Sequence, residues 1–404
     1  MEQAILPTCR SDPAGVCRIL LTSFDVEIDW LESLFPDVPI TYVGNPGRGP
    51  DAPRAGLYQR GYWEMCVPPS PNPRALQHAK LVVLFYQERV RVIVSSANLT
   101  QLDWTRYDNT FFVQDFRAGS GGEFGVQLRR LFATFGIKTH AAVDLLSEYD
   151  FSSAASLVAS WPIARVAKGW NEMEACGLGR LHAVVRRMNT GKCTLEAQGS
   201  SLAAYDRRWL EQFSAVASGL DTAHFPLPRS TDSALWPPVR ILFPTQHWVE
   251  NEALQGIGGG GCFFGRADGF EQRGMRHLYA QPESKRGRLF MHAKSLLAKR
   301  VEKQGDSADT QTKSAQDRGA AEYCATTMPL SGWLYAGSAN FTRAAWGTIS
   351  GSRTAPTLSV SNWELGVVVP LDADLDCCPL DAVAYADARP YGPTDTPWDV
   401  RTVL

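Results

Sequence analysis

Two tripeptides of one type, His78-Ala-Lys80 and His292-Ala-Lys294, are each followed by an asparagine, Asn98 and Asn340. In a strand, residues i and i+2 point to the same face, so His-x-Lys presents an imidazole beside an ammonium group. A hairpin then returns the asparagine beside them. Two such clusters facing one another would surround a single pocket with two imidazoles, two fixed cations and two amides. That inventory suits a phosphodiester. Lys80, Lys294, Asn98 and Asn340 can donate to the non-bridging oxygens as negative charge develops there. Histidine's ordinary pKa near 6.5 lets one ring be neutral and attack phosphorus while the other is protonated and serves the leaving oxygen. The intermediate expected is a phosphohistidine. The lysines supply the positive charge that a metal would otherwise bring, so neither a metal nor another cofactor is expected. A single His-x-Lys is most simply an accident of a strand; the repetition argues against accident.

The repeat extends beyond these residues. Gln77-His-Ala-Lys80 recurs as Met291-His-Ala-Lys294, and Ser95-Ser-Ala-Asn-Leu-Thr100 recurs as Gly337-Ser-Ala-Asn-Phe-Thr342. Each asparagine is followed by a tryptophan at the same spacing, Trp104 and Trp346. Duplication with the two halves facing each other accounts for the pattern. Leu81–Tyr86 and Val90–Val94 read as strands around the polar turn 87–89, Asn109–Val113 as a third strand, and Val126–Phe135 as a helix. In the second half, Ser295–Ala298, Gly332–Ala336 and Leu365–Pro370 read as strands, and Leu202–Phe213 as an amphipathic helix. The fold expected is α/β: two similar domains, 1–165 and 166–404, each a mixed sheet flanked by helices, related by a pseudo-twofold with the site between them. Polar composition predicts a flexible loop at about 301–326.

With 404 residues, 44% hydrophobic and 20% charged, the chain is long enough for two such domains. It has no apolar run of membrane-spanning length and no recognisable secretory leader. Its nine cysteines are scattered, with no CxxC pair, and point to neither a zinc site nor a disulfide framework. A formal charge of −2 means that an anionic partner must be held locally. The basic run Arg273–Lys303, which contains His292 and Lys294, is one candidate, and the glycine run Gly258–Gly261, able to offer backbone N–H groups, is another.

These motifs resemble those of the phospholipase D superfamily, in which His-x-Lys is usually followed by an aspartate five residues after the lysine. Phe85 and Lys299 stand there instead. That departure marks the tyrosyl-DNA phosphodiesterase branch, of the nuclear and here fungal type. Asn98-Leu-Thr-Gln-Leu-Asp-Trp104, Gly337–Gly347 and Asn362-Trp-Glu-Leu-Gly-Val367 are close to its motifs. The resemblance implies His78 as nucleophile and His292 as general acid, then base. It implies a carboxylate, Glu364, supporting the second histidine, and an amide at the place of Asn109 supporting the first. It implies DNA contacts from Ser200 and Ser201, at the start of the Leu202 helix, and from Thr342. Arg74 stands where the family commonly stacks an aromatic on a base, and could stack or pair with phosphate instead. The implied substrate is DNA, single-stranded or at nicked or blunt ends, carrying a 3′ adduct such as the tyrosyl peptide of a trapped type IB topoisomerase. The implied setting is a nuclear monomer that does not engage membranes. Competing readings are a lipid-directed phospholipase D or related nuclease, and a non-catalytic protein that binds DNA ends.

Overall fold

The computed structural model describes residues 15–45, 53–70, 72–138, 140–163, 167–226, 236–268, 270–301, 330–371 and 385–403. The loop expected at 301–326 lies outside these residues except for its first position. The first sheet is built from β1 (Arg18–Thr22), β2 (Ile40–Val43), β3 (Gly56–Arg60), β4 (Trp63–Val67), β5 (Leu81–Phe85), β6 (Arg89–Ser95) and β7 (Phe111–Arg117). Then come β8 (Ser156–Ser160), β9 (Ala167–Lys168), β10 (Cys193–Gln198), β11 (Val239–Leu242), β12 (Tyr279–Ser284), β13 (Ser295–Arg300), β14 (Gly332–Gly337), β15 (Thr348–Gly351), β16 (Pro356–Ser359), β17 (Glu364–Leu371) and β18 (Tyr385–Pro390).

The sheets run β3-β4-β2-β1-β5-β6-β7 and β18-β12-β11-β10-β13-β14-β17-β8. Strand for strand, their first seven members share order and direction. β1 lies parallel to β2 and antiparallel to β5, as β10 does to β11 and β13. The hairpin β5–β6 matches β13–β14, and each continues antiparallel into β7 or β17. The repeated motifs thus occupy equivalent places. The second sheet also takes its eighth strand, β8, from the segment before residue 165, where it pairs with β17.

Burial explains why Leu81–Phe85 is apolar without alternation. Leu81, Val83 and Phe85 face one core, with Leu128, Leu131 and Phe132 of the helix Glu123–Thr134; Val82 and Leu84 face another, with Trp30 and Leu31 of the helix Ile28–Leu34. A strand covered on both faces needs apolar residues at every position. The first of these cores also takes Leu157 and Ala159 of β8 and Leu365 and Val367 of β17. The two halves therefore share a hydrophobic interior, which fixes their separation. The amphipathic helix expected over Leu202–Phe213 runs instead from Arg207 to Ala217. Asp206 caps it, accepting from the Trp209 N–H at 2.9 Å.

Candidate active site

Each His-x-Lys segment leads into the central strand of its sheet and is tied to the opposite half before it gets there. The His78 N–H donates to the Trp363 carbonyl at 2.9 Å, and the Asp108 N–H to the Phe290 carbonyl at 2.8 Å. Gln77 and Trp363, like Asp108 and Met291, form isolated parallel bridges. These reciprocal pairings bring the two clusters together. His78, Asn98, His292 and Asn340 line one cleft of about 720 Å³, together with Ser200, Ser201, Thr342, Glu364 and Asp103.

Both lysines are fully buried. Lys80 Nζ donates to the His78 carbonyl at 2.7 Å, and Lys294 Nζ to the His292 carbonyl at 2.6 Å. Each ammonium group thereby braces the backbone that carries its own histidine. Burial drives Lys80 down to about 7, partly offset by Glu364 and Asp103, and drives Lys294 well below its ordinary value, with Lys80 adding to the effect. Burial also lowers both imidazoles, His292 to about 4, with Lys294 the next cause. Two buried lysines set against the histidines of the cleft favour an anion there.

The family model described as Tyrosyl-DNA phosphodiesterase matches residues 11–391. The chain belongs to the tyrosyl-DNA phosphodiesterase family. It is 24% identical over 388 residues to Tyrosyl-DNA phosphodiesterase 1 of Arabidopsis thaliana, covering 87% of this chain and 57% of that protein. It is 23% identical over 405 residues to a probable tyrosyl-DNA phosphodiesterase of Caenorhabditis elegans, covering 93% of this chain and 80% of that one. The crystal structure of the yeast tyrosyl-DNA phosphodiesterase superposes with a TM-score of 0.64 at 18% identity, covering 95% of this chain and 93% of that one. The same two-sheet α/β fold is common to both.

Within this family member the supports of both histidines differ from the expectation. Glu364 Oε2 lies 2.8 Å from Nδ1 of His78, not of His292. The same oxygen accepts from Ser338 Oγ at 2.6 Å, so the carboxylate is anchored in its own half and reaches across to the other. The reason is the bridge Gln77↔Trp363, which sets Glu364 beside the opposite cluster. Asn109 holds the equivalent place in the first half. Ser96 pairs with Thr110 through backbone and side chain as Ser338 pairs with Leu365. Yet Asn109 supports neither ring. Its Nδ2 donates to the Asp103 carbonyl at 2.8 Å, and its Oδ1 accepts from Ser96 Oγ at 2.8 Å. The group beside His292 Nδ1 is Asp103 Oδ1, 3.1 Å away at an angle oblique to the ring N–H. Sequence reasoning placed Asp103 inside a family motif and gave it no role.

Asp103 is held from below by the first turn of the helix Gln101–Thr105. The Asp103 N–H donates to Thr100 Oγ1 at 3.2 Å, and the Asn98 N–H donates to Asp103 Oδ2 at 3.1 Å. Burial works to raise this carboxyl, but His292 and Lys294 beside it hold it at about 2.

Ser200 and Ser201 line the cleft in a loop after β10, not at a helix start. Their backbone N–H groups donate to Asn340 Oδ1 at 2.8 and 3.0 Å, which leaves the Asn340 amide NH₂ as a donor. Thr342 also lines the cleft, and its hydroxyl caps the helix Arg343–Trp346 as Thr100 caps the other. Arg74 sits on an exposed turn and is not among the cleft residues. Phe24 is: it is 41% exposed, its ring centroid 5.6 Å from that of His78 and 5.7 Å from Lys80 Nζ.

The basic run is partly committed to the fold. Arg286 pairs with buried Asp108 at 2.9 Å, and Arg276 pairs with Glu271. Gly258–Gly261 forms tight helical turns. A Cβ on Gly259 would come within 2.2 Å of the Phe290 ring, and one on Gly260 within 2.5 Å of Trp398, so these glycines serve close packing. Among the described residues, no group of three or more His, Cys, Asp or Glu side chains is placed to hold a metal ion, and no helix is long and apolar enough to cross a membrane.

Proposed function

We propose that this chain hydrolyses the phosphodiester joining a DNA 3′ end to a tyrosyl residue, and related 3′ adducts, leaving a 3′-phosphate. The observation that carries the reading is the convergence of both histidines, each with a carboxylate near Nδ1, on one cleft, with a buried lysine braced against the backbone of each. With Nδ1–H of His78 donated to Glu364, the Nε2 lone pair is the free nucleophile. Its attack forms an N–P bond as the P–O bond to tyrosine breaks. His292 gives its proton to the departing phenolate oxygen. The charge that His78 gains on phosphorylation is met by Glu364. Water then attacks phosphorus, its proton passes to His292, and the N–P electron pair returns to His78. Lys80, Lys294 and the Asn340 amide are placed to stabilise the equatorial oxygens.

The substrate is the debris of a trapped type IB topoisomerase, and the role is DNA repair. Family membership and an open cleft able to take both a strand and a peptide support this. One chain supplies every group the chemistry needs, which supports a monomer; a nuclear setting is proposed on the family resemblance alone. The test is acid quenching with a radiolabelled 3′-phosphotyrosyl oligonucleotide, with phosphatidylcholine as the competing substrate. His292→Ala accumulates a covalent protein–DNA species, and His78→Ala forms none. A covalent species on His78→Ala would reverse the roles. Preference for the lipid would replace the substrate, and strong DNA binding with no turnover by the unaltered chain would make it a non-catalytic end-binding protein.

A further inference from the structure

Asn109 is spent on Ser96 and the Asp103 carbonyl, so the equivalent of Glu364 in the first half cannot reach across the cleft as Glu364 does. An asparagine is one methylene too short. The carboxylate beside His292 comes instead from the helix Gln101–Thr105, in the same half as Asn109. We infer that Asp103 is the positioning residue of His292: lying beside Nδ1, it leaves Nε2 to face the substrate and stabilises the protonated ring that delivers its Nε2 proton. This rests on the hydrolytic reading above.

The surroundings of His292 are otherwise hostile to that proton. Lys294 on its own segment and Lys80 from the other half both oppose protonation, and burial opposes it further. Tyr107 packs against the ring at 6.1 Å, and Cys262, His78 and Glu364 line the same cleft. The Cys262 thiol and the Tyr107 hydroxyl, both pushed up by burial, stay neutral at working pH. Glu364 is already bound to His78. Asp25, Asp103 and Glu364 are the carboxylates lining the cleft, and Asp103 is the one beside His292. The two histidines of the site lean on carboxylates of different origin: His78 on one from across the cleft that is also bound to Ser338, His292 on one anchored by Thr100 and Asn98.

The experiment compares the pH dependence of single-turnover cleavage and of phosphohistidine hydrolysis for the unaltered chain, Asp103→Asn and Asn109→Ala. Loss of a carboxylate at this distance moves a neighbouring imidazole downward by about one to three pH units. In Asp103→Asn the alkaline limb of cleavage and the acid limb of intermediate hydrolysis both move to lower pH. Its deficit shrinks on an oligonucleotide 3′-p-nitrophenyl phosphate, whose leaving group needs less protonation. Asn109→Ala slows turnover with both limbs in place. Folding is followed by circular dichroism, and the His292 ring is titrated directly by nitrogen NMR in protein labelled at histidine. Limbs and titration unmoved in folded Asp103→Asn, or moved in Asn109→Ala, overturn the inference. Absence of turnover by the unaltered chain would instead refute the hydrolytic reading, and the NMR titration alone would then decide whether Asp103 stabilises protonated His292.

Discussion

Lys80 is fully buried, and its fold-imposed pKa falls from 10.5 to about 7. That makes it a stability liability retained for chemistry, and Lys80→Met exposes the conflict. At about 1.36 kcal/mol per unit, the shift corresponds to a penalty of roughly 5 kcal/mol while the lysine is charged in both states. Methionine matches the stem but loses the 2.7 Å bond to the His78 carbonyl, a charged hydrogen bond that contributes about 1.5–3 kcal/mol. A net gain of about 2–3 kcal/mol remains. Unfolding entropy near 2.1 cal/mol/K per residue gives about 0.85 kcal/mol/K for 404 residues, so the melting temperature rises by about 2–4 °C. The pH dependence has a definite sign. The folded pKa lies below the unfolded one, so between about pH 7 and 10.5 the unfolded chain holds more protons and stability climbs with pH. The gap between variant and unaltered chain is therefore widest below pH 7, closes by about pH 9 and reverses toward pH 10. Scanning calorimetry across that range reads it, while turnover falls by about 10²–10³-fold. Orthovanadate, an anion suited to the cleft, stabilises the unaltered chain far more than the variant. A variant that melts lower than the unaltered chain at every pH, or a gap that does not narrow with pH, would show that Lys80 is not a buried charge held at a cost to the fold.

Two further outcomes follow from the same site. Glu364→Gln keeps the shape of the group beside His78 but removes its charge, so turnover of a 3′-phosphotyrosyl oligonucleotide falls by about 10–100-fold with KM little changed; a rise in KM alone would contradict its action through His78. Phe24→Ala removes the exposed ring above His78 and Lys80, where a nucleobase would stack for about 1–3 kcal/mol; KM for the oligonucleotide rises by about 5–100-fold with kcat near that of the unaltered chain, and an unchanged KM would show that the ring only covers Lys80.

Much of this site is legible in the sequence, because duplication is a local signal. His78, Lys80, His292 and Lys294 lie just before β5 and β13 and not in a strand as expected, so the duplication and not strand periodicity marks them. What is not legible arises from contacts between halves. Glu364 can be recognised as a carboxylate of the motif, but which histidine it meets depends on the bridge Gln77↔Trp363, a pairing between residues 286 positions apart in the hydrogen bond it enables. Asn109 occupies the right position, yet a single methylene decides whether its amide crosses a cleft or turns back to Asp103. Ser200 and Ser201 resemble a helix start because Leu202, Trp209, Leu210 and Phe213 share a helical spacing. Asp206, five residues on, is the capping signal that moves the start, and it frees the serine N–H groups for Asn340.

The strand order shows why such errors concentrate where the halves meet. Each half has a complete seven-stranded scheme of its own, so the sequence of one half is enough to predict that half. The catalytic arrangement belongs to neither. It exists because β8 and β17 pack against the first sheet, and because each His-x-Lys segment borrows a backbone partner from the other side. Duplication supplied two equal clusters. Different residues at equivalent places make them different: Asp103 stands where the second half has Ala345, and Asn109 where it has Glu364, so one histidine answers to a carboxylate reaching across the cleft, the other to one on an adjoining short helix. If His78 attacks and His292 delivers the proton, as proposed above, the two parts rest on carboxylates of different origin, one from across the cleft and one from a short helix beside Asn98.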